Sequence, residues 1–125
     1  MLRNELHAYL AGICKKMDSP SLQVGGIEDH VHILCRLSRR HGIMSITGEL
    51  KKGSSKWIKE RDSALSKFYW QNGYGAFSVS PSHITALRKY IANQEGHHRK
   101  ETFQEEFLRL LNKYGIQYDE RYLWD

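Results

Sequence analysis

The sequence predicts an α+β two-layer sandwich, an antiparallel sheet with helices on one face, formed by a single domain over residues 1–125. Two observations carry that class. Apolar residues recur every three or four positions in residues 2–17, 43–61, 84–94 and 102–114, the period of amphipathic helices. Two β-branched runs, 21–28 and 30–37, lie side by side with only a polar turn between them, as in a hairpin.

Leu2, Leu6, Tyr9, Leu10, Ile13 and Met17 define the first helix, which stops at Asp18-Ser19-Pro20. Leu22-Gln23-Val24-Gly25-Gly26-Ile27 reads as a strand, bent or bulged at its paired glycines. A turn at Glu28-Asp29 leads into His30-Val31-His32-Ile33-Leu34-Cys35-Arg36-Leu37, the second strand. After the polar loop Ser38-Arg39-Arg40-His41-Gly42, the residues Ile43, Ile46, Leu50, Trp57 and Ile58 mark a helix to about Arg61, interrupted around Gly53-Ser54-Ser55. Tyr74-Gly75-Ala76-Phe77-Ser78-Val79 alternates behind Asn72-Gly73 and predicts a third strand. Ser80-Pro81-Ser82 then starts a helix through Ile84, Leu87, Tyr90 and Ile91 to Gln94, with Gly96 ending it. The last helix runs from Thr102 through Phe103, Phe107, Leu110 and Leu111 to Tyr114-Gly115, with Glu105 and Glu106 in its early turns.

Composition narrows the function classes. With 40% hydrophobic and 26% charged residues, the chain fits one core, and no run approaches the roughly 18 apolar residues of a membrane span. The start Met1-Leu2-Arg3-Asn4-Glu5 is too polar for a signal peptide, which points to the cytoplasm. Cys14 and Cys35 match neither a disulfide framework nor a zinc knuckle and read as buried thiols. The net charge of +5 is concentrated. Residues 36–67 hold nine Lys and Arg against Glu49, Glu60 and Asp62, a net of +6, which leaves the remainder at −1. That is either an electrostatic footprint for a phosphate backbone or a solvated helix face.

Two constellations can carry chemistry. Strand alternation sets His30, His32 and Leu34 on one face and Val31, Ile33, Cys35 and Leu37 on the other, so two imidazoles share a face and can hold a divalent metal. Taken alone, they more often describe a pair of surface histidines on a sheet. Tyr90 and Gln94 lie one helical turn apart, so an amide oxygen can reach a metal while the phenol addresses what the metal polarises. Taken alone, this describes an amphipathic helix with Tyr90 in the core.

Together, Asp29-His30-Val31-His32-Ile33-Leu34 and Tyr90-Ile91-Ala92-Asn93-Gln94 resemble the single-tyrosine His-hydrophobe-His (HUH) transposases of the smallest bacterial insertion sequences. The likeness extends through Trp70-Gln71-Asn72-Gly73-Tyr74-Gly75-Ala76-Phe77-Ser78, His97-His98 and Thr102-Phe103-Gln104-Glu105-Glu106 to Gly115-Ile116-Gln117-Tyr118-Asp119 and Tyr122-Leu123-Trp124. It implies a ferredoxin-like antiparallel sheet. Family members open on a strand before the first helix, whereas this chain opens at Leu2 with the helix, so the implied sandwich has its first strand missing.

The resemblance implies a DNA transposase that cuts and rejoins single strands. His30, His32 and Gln94 correspond to the ligands of Mg²⁺ or Mn²⁺, and Tyr90 to the nucleophile that forms a 5′-phosphotyrosine and frees a 3′-hydroxyl. The implied partners are single-stranded DNA with hairpin ends and a second copy of the chain, the active sites being shared between subunits. Within the basic segment, Arg39, Arg40, Lys51, Lys52, Lys56 and Lys59 are the candidate DNA contacts.

Other histidine chemistries fit less well. A histidine-triad hydrolase needs a third alternating histidine where Leu34 stands, a two-histidine phosphoesterase needs a second motif that is missing, and zinc needs cysteine pairs or a helical H-E-x-x-H. An HUH replication initiator or relaxase-type nickase shares the chemistry but usually carries more sequence for origin recognition. The non-enzymatic alternative is a truncated DNA-binding remnant that keeps the basic surface without turnover.

Overall fold

The structure is a computed structural model that describes residues 2–27, 29–71 and 73–115. Glu28 of the expected turn, Asn72 before the expected third strand, and residues 116–125, with Tyr118, Tyr122 and Trp124 of the resemblance, lie outside the described residues.

Helix α1 spans Leu2–Lys16, with Glu5 in its first turn and Lys15 and Lys16 in its last, each sign set against the opposite end of the helix dipole. The chain leaves it through Asp18 at φ 56, a left-handed turn for which aspartate is one of the better-suited residues. Ser19, fully buried, donates to the Met17 carbonyl oxygen (3.1 Å) and accepts from the Ser38 amide (2.9 Å), which ties the entry of the hairpin to its exit.

Strands β1 (Ser21–Ile27) and β2 (His30–Cys35) pair antiparallel, with Gly25 opposite His32 and Ile27 opposite His30. The irregularity expected at Gly25-Gly26 falls instead between Ser21 and Gln23. The glycines serve close approach: a Cβ on Gly25 would come within 2.3 Å of the Ile91 carbonyl oxygen, and one on Gly26 within 2.3 Å of the His30 carbonyl oxygen.

Helix α2 (Ile43–Arg61) is continuous, without the expected interruption at Gly53-Ser54-Ser55. Those small residues mark where neighbours close in on the helix. Gly53 faces the Ile13 side chain of α1, and buried Ser54 donates to the Leu50 carbonyl oxygen (2.5 Å) while accepting from the Trp70 indole (2.9 Å). Tyr9 stacks on Trp57 at 5.3 Å, and Glu5 pairs with Arg61, so α1 and α2 form one layer.

The α+β class and its antiparallel sheet agree with the sequence. Among the described residues, however, the sheet has two strands, because Tyr74–Val79 forms neither strand nor helix. The chain leading into it is held from outside a ladder, the Lys51 ammonium donating to the carbonyl oxygens of Gln71 (2.6 Å) and Gly73 (3.1 Å), and Gly75 lies against the Phe107 ring.

A 3₁₀ turn at Pro81–His83 opens helix α3 (Ile84–Ala92), which breaks at Asn93 before the single turn of α4 (Gln94–His97). Helix α5 (Phe103–Lys113) starts on a reciprocal cap, Thr102 Oγ1 accepting from the Glu105 amide (3.1 Å) and Glu105 Oε1 from the Thr102 amide (2.9 Å).

The hairpin lies between these groups. On one face the Cys14 thiol of α1 meets Cys35, a contact that raises the pKa of Cys14 and lowers that of Cys35; Cys14 is buried as expected and Cys35 half-buried. The opposite face of β2, with His30 and His32, takes α3 and α5. The apolar core is Leu10, Cys14, Ile46, Ile58, Ile91 and Leu111. No described helix is long and apolar enough to cross a membrane.

Candidate active site

Strand alternation delivers both imidazoles to one face of β2, and the missing side chain at Gly25 lets α3 descend onto that face. The break at Asn93 then turns the chain so that Tyr90 before it and Gln94 after it both point at the histidines. Buried Gln94 sets its Oε1 2.8 Å from His30 Nε2 and 3.0 Å from His98 Nε2. The four residues that the sequence proposes for metal and nucleophile are thus brought together within one chain.

Beside His98, three further residues belong to the cluster. Glu106 of α5 is fully buried; its Oε1 accepts from His32 Nε2 (2.8 Å) and lies 3.2 Å from His98 Nε2, while its Oε2 accepts the Tyr90 hydroxyl proton. Arg109, one turn further along α5, donates from Nη2 to the Tyr90 hydroxyl oxygen (2.8 Å) and from Nε to the Glu101 carboxylate (3.2 Å). The ring of Phe103 stacks on His30 at 4.5 Å and closes the apolar side.

Ring orientation indicates what the cluster can hold. His30 donates Nδ1–H to Asp29 Oδ1 (2.7 Å), and His98 donates Nδ1–H to the Glu101 carbonyl oxygen (2.6 Å). Each ring therefore turns its Nε2 inward, toward Gln94 Oε1 and Glu106 Oε1, which carry lone pairs. Such an inward ring of nitrogen and oxygen atoms needs a proton or a metal cation among its lone pairs, and a histidine whose outer N–H is fixed by a carboxylate or carbonyl is the usual form of a metal ligand. Among the described residues, ligand atoms of His30, His32 and Glu106 all lie within 4.8 Å of one another. Two or three imidazoles, an amide oxygen and a carboxylate form a mixed N/O set that fits a divalent cation of the Mg²⁺ or Mn²⁺ type.

Electrostatics follow the same arrangement. Burial alone would raise the Glu106 pKa, but hydrogen bonds from His32 and Tyr90 and the charges of His32 and His98 bring it down to about 2, so the carboxylate stays ionised. Burial, and then the hydrogen bond and charge of Glu106, push the Tyr90 phenol well above its ordinary value, while Arg109 pulls it back.

The basic residues are elsewhere. Arg39 and Arg40 lie in the turn before α2, and Lys52, Lys56 and Lys59 are exposed on α2 itself. Lys51 is half-buried, with its ammonium on two carbonyls and 5.7 Å from the centre of the Tyr74 ring. Lys51 and Lys52 border a shallow cleft with Ser55, Tyr69, Trp70 and Gln71, of which Tyr69 is 82% exposed.

Glu106 had a signal in the sequence that pattern reading passed over. It falls on the apolar stripe of α5, three residues from Phe103 and four from Leu110, and a carboxylate on a buried face needs a partner. His98 stands in the likeness without a site role, and Arg109 carries no local mark.

No curated protein matches the chain. A family model described as "Transposase IS200 like" matches residues 1–94, a span that includes His30, His32 and Tyr90 and ends on Gln94, ahead of His98, Glu106 and Arg109. Because that match runs through about three-quarters of the chain, the protein belongs to the IS200-like transposase family.

Proposed function

We propose that this transposase cleaves and rejoins single-stranded DNA at the ends of an insertion sequence through a covalent link between Tyr90 and a 5′-phosphate. The observation that carries the reading is the shared carboxylate: Glu106 receives the Tyr90 hydroxyl on one oxygen and His32 on the other, so the phenol and the candidate ligands meet at one point. Tyr90 is the nucleophile. As its oxygen bonds to phosphorus, the phosphorus–O3′ bond breaks and leaves a 3′-hydroxyl, and the reverse reaction with a different end rejoins the strand.

His30, His32 and Gln94 would hold Mg²⁺ or Mn²⁺, with Glu106 as an added carboxylate. The chemistry a divalent cation supplies when bound is Lewis acidity toward phosphate oxygens. The chain's own residues do the rest: Asp29 and the Glu101 carbonyl orient the rings, and Phe103 shields His30 from water.

DNA with hairpin ends would lie along the basic segment, with Arg39, Arg40, Lys52, Lys56 and Lys59 on phosphates and Lys51 bracing the cleft where Tyr69 offers a ring for base stacking. The working form would be a cytoplasmic homodimer. Incubation with single-stranded element ends and Mn²⁺, followed by denaturing electrophoresis, tests the reading. A protein–DNA adduct in wild type that is lost in Tyr90→Phe is expected; an adduct that survives the substitution refutes it.

A further inference from the structure

Arg109 lies beyond the span matched by the family and was not among the residues singled out in the sequence. Its guanidinium nevertheless touches the oxygen on which the proposed reaction depends, at 2.8 Å. Arg109 and Glu106 stand three residues apart on α5 and so reach that oxygen from adjacent turns of one helix face. One donates to it and the other accepts from it.

The guanidinium is held in place for this. Both Glu101 oxygens lie 3.2 Å from Arg109 Nε, while the Glu101 carbonyl holds the His98 ring, so a single residue orients both the arginine and a histidine of the cluster. The Arg109 side chain is 43% exposed, which leaves it accessible to a DNA strand. As a surface ion pair alone, Arg109–Glu101 would contribute little. A phosphate approaching Tyr90 also meets the buried negative charge of Glu106, and a fixed positive charge at the same oxygen offsets that repulsion.

We infer that Arg109 is a catalytic residue of strand cleavage, whose guanidinium draws the scissile phosphate onto the Tyr90 oxygen and stabilises the negative charge that gathers on the phosphate oxygens as the new bond forms. The inference rests on Tyr90 being the nucleophile. In the step itself the Tyr90 oxygen bonds to phosphorus and the phosphorus–O3′ bond breaks, its electron pair staying on O3′. The phenol proton leaves to solvent, and O3′ takes a proton from solvent to end as the 3′-hydroxyl. An arginine suits this place because its planar fork addresses a phosphate and a phenol oxygen together, which an ammonium does less well.

The test compares wild type, Arg109→Gln, Arg109→Lys and Tyr90→Phe on single-stranded oligonucleotides spanning an element end, with Mn²⁺. The linkage that wild type cuts is either an ordinary phosphodiester or an uncharged methylphosphonate. On the diester, Arg109→Gln should form adduct roughly 10²–10³-fold more slowly, the loss typical of removing one preorganised donor to a transition-state oxyanion. DNA affinity and melting temperature should hold, and Arg109→Lys, which keeps charge without the fork, should fall between. On the methylphosphonate the gap between wild type and Arg109→Gln should shrink to a few-fold, because the charge that Arg109 answers is gone.

Adduct formation by Arg109→Gln at the wild-type rate, or equal slowing on both linkages, overturns the inference; the second result marks a purely structural arginine. If Arg109→Gln does not fold, the same comparison of the two linkages is read from Arg109→Lys. Absence of adduct in Tyr90→Phe beside a full rate in Arg109→Gln overturns the inference and leaves the nucleophile standing. Adduct in Tyr90→Phe overturns both.

Discussion

Gly25 of β1 sits so close to Ile91 of α3 that a Cβ on the glycine would come within 2.3 Å of the isoleucine's carbonyl oxygen. The contact sets the depth at which the tyrosine helix rests on the histidine face, since Tyr90 is the residue before Ile91 and Gly25 is paired with His32. Gly25→Ala must push backbone against backbone. We expect a loss of about 1–3 kcal/mol in stability, the usual cost of overpacking a tight contact, measured by denaturant unfolding. Unchanged stability would mean that α3 is free to move off the sheet.

His32→Ala removes a candidate ligand and also leaves Glu106 Oε1 without its shortest hydrogen bond. Mn²⁺ affinity measured by calorimetry should fall by more than the roughly 10–100-fold seen when only a supporting residue around a metal is lost. Cleavage should vanish while hairpin binding stays. A variant that cuts at full rate with metal present would remove His32 from the site.

Glu106→Gln keeps the shape of the side chain and deletes its charge. It can still meet Tyr90 and His32, so the fold should persist, while Mn²⁺ binding weakens by about tenfold or more because a carboxylate is the stronger ligand for a hard cation. Equal Mn²⁺ affinity in the two proteins would confine Glu106 to a structural role.

Lys52, Lys56 and Lys59 share an exposed face of α2. Replacing all three with glutamine should weaken binding across DNA sequences and reduce the slope of log affinity against log salt by roughly 2–3, at about 0.7–0.9 per phosphate contact. A slope equal to that of wild type would make this face a solvated helix surface.

Much of this was legible in the sequence because it depends on short-range periodicity. Alternation along His30-Val31-His32 fixes which face carries the imidazoles, whereas Tyr90 and Gln94 reach them from either side of the break at Asn93 rather than from one unbroken helical turn. What alternation cannot supply is a partner strand: Tyr74–Val79 has a strand-like pattern but follows carbonyls held by Lys51 and packs Gly75 on Phe107. Gly53-Ser54-Ser55 reads as a helix breaker, yet small residues there admit Ile13 and Trp70 against α2, and tertiary packing outweighs the local propensity. Gly25-Gly26 marks close approach, which in one dimension looks the same as a bulge. His98 and Arg109 join the site only through the turn between α4 and α5, a three-dimensional relation that no local pattern encodes.

The most direct measurement is peptide mapping of the protein–DNA adduct trapped on single-stranded element ends with Mn²⁺. The nucleotide should be attached to the peptide containing Tyr90, and Tyr90→Phe should yield no adduct while retaining its fold and hairpin affinity. DNA attached to Tyr69, Tyr74 or Tyr114, or undiminished cleavage by Tyr90→Phe, would contradict it.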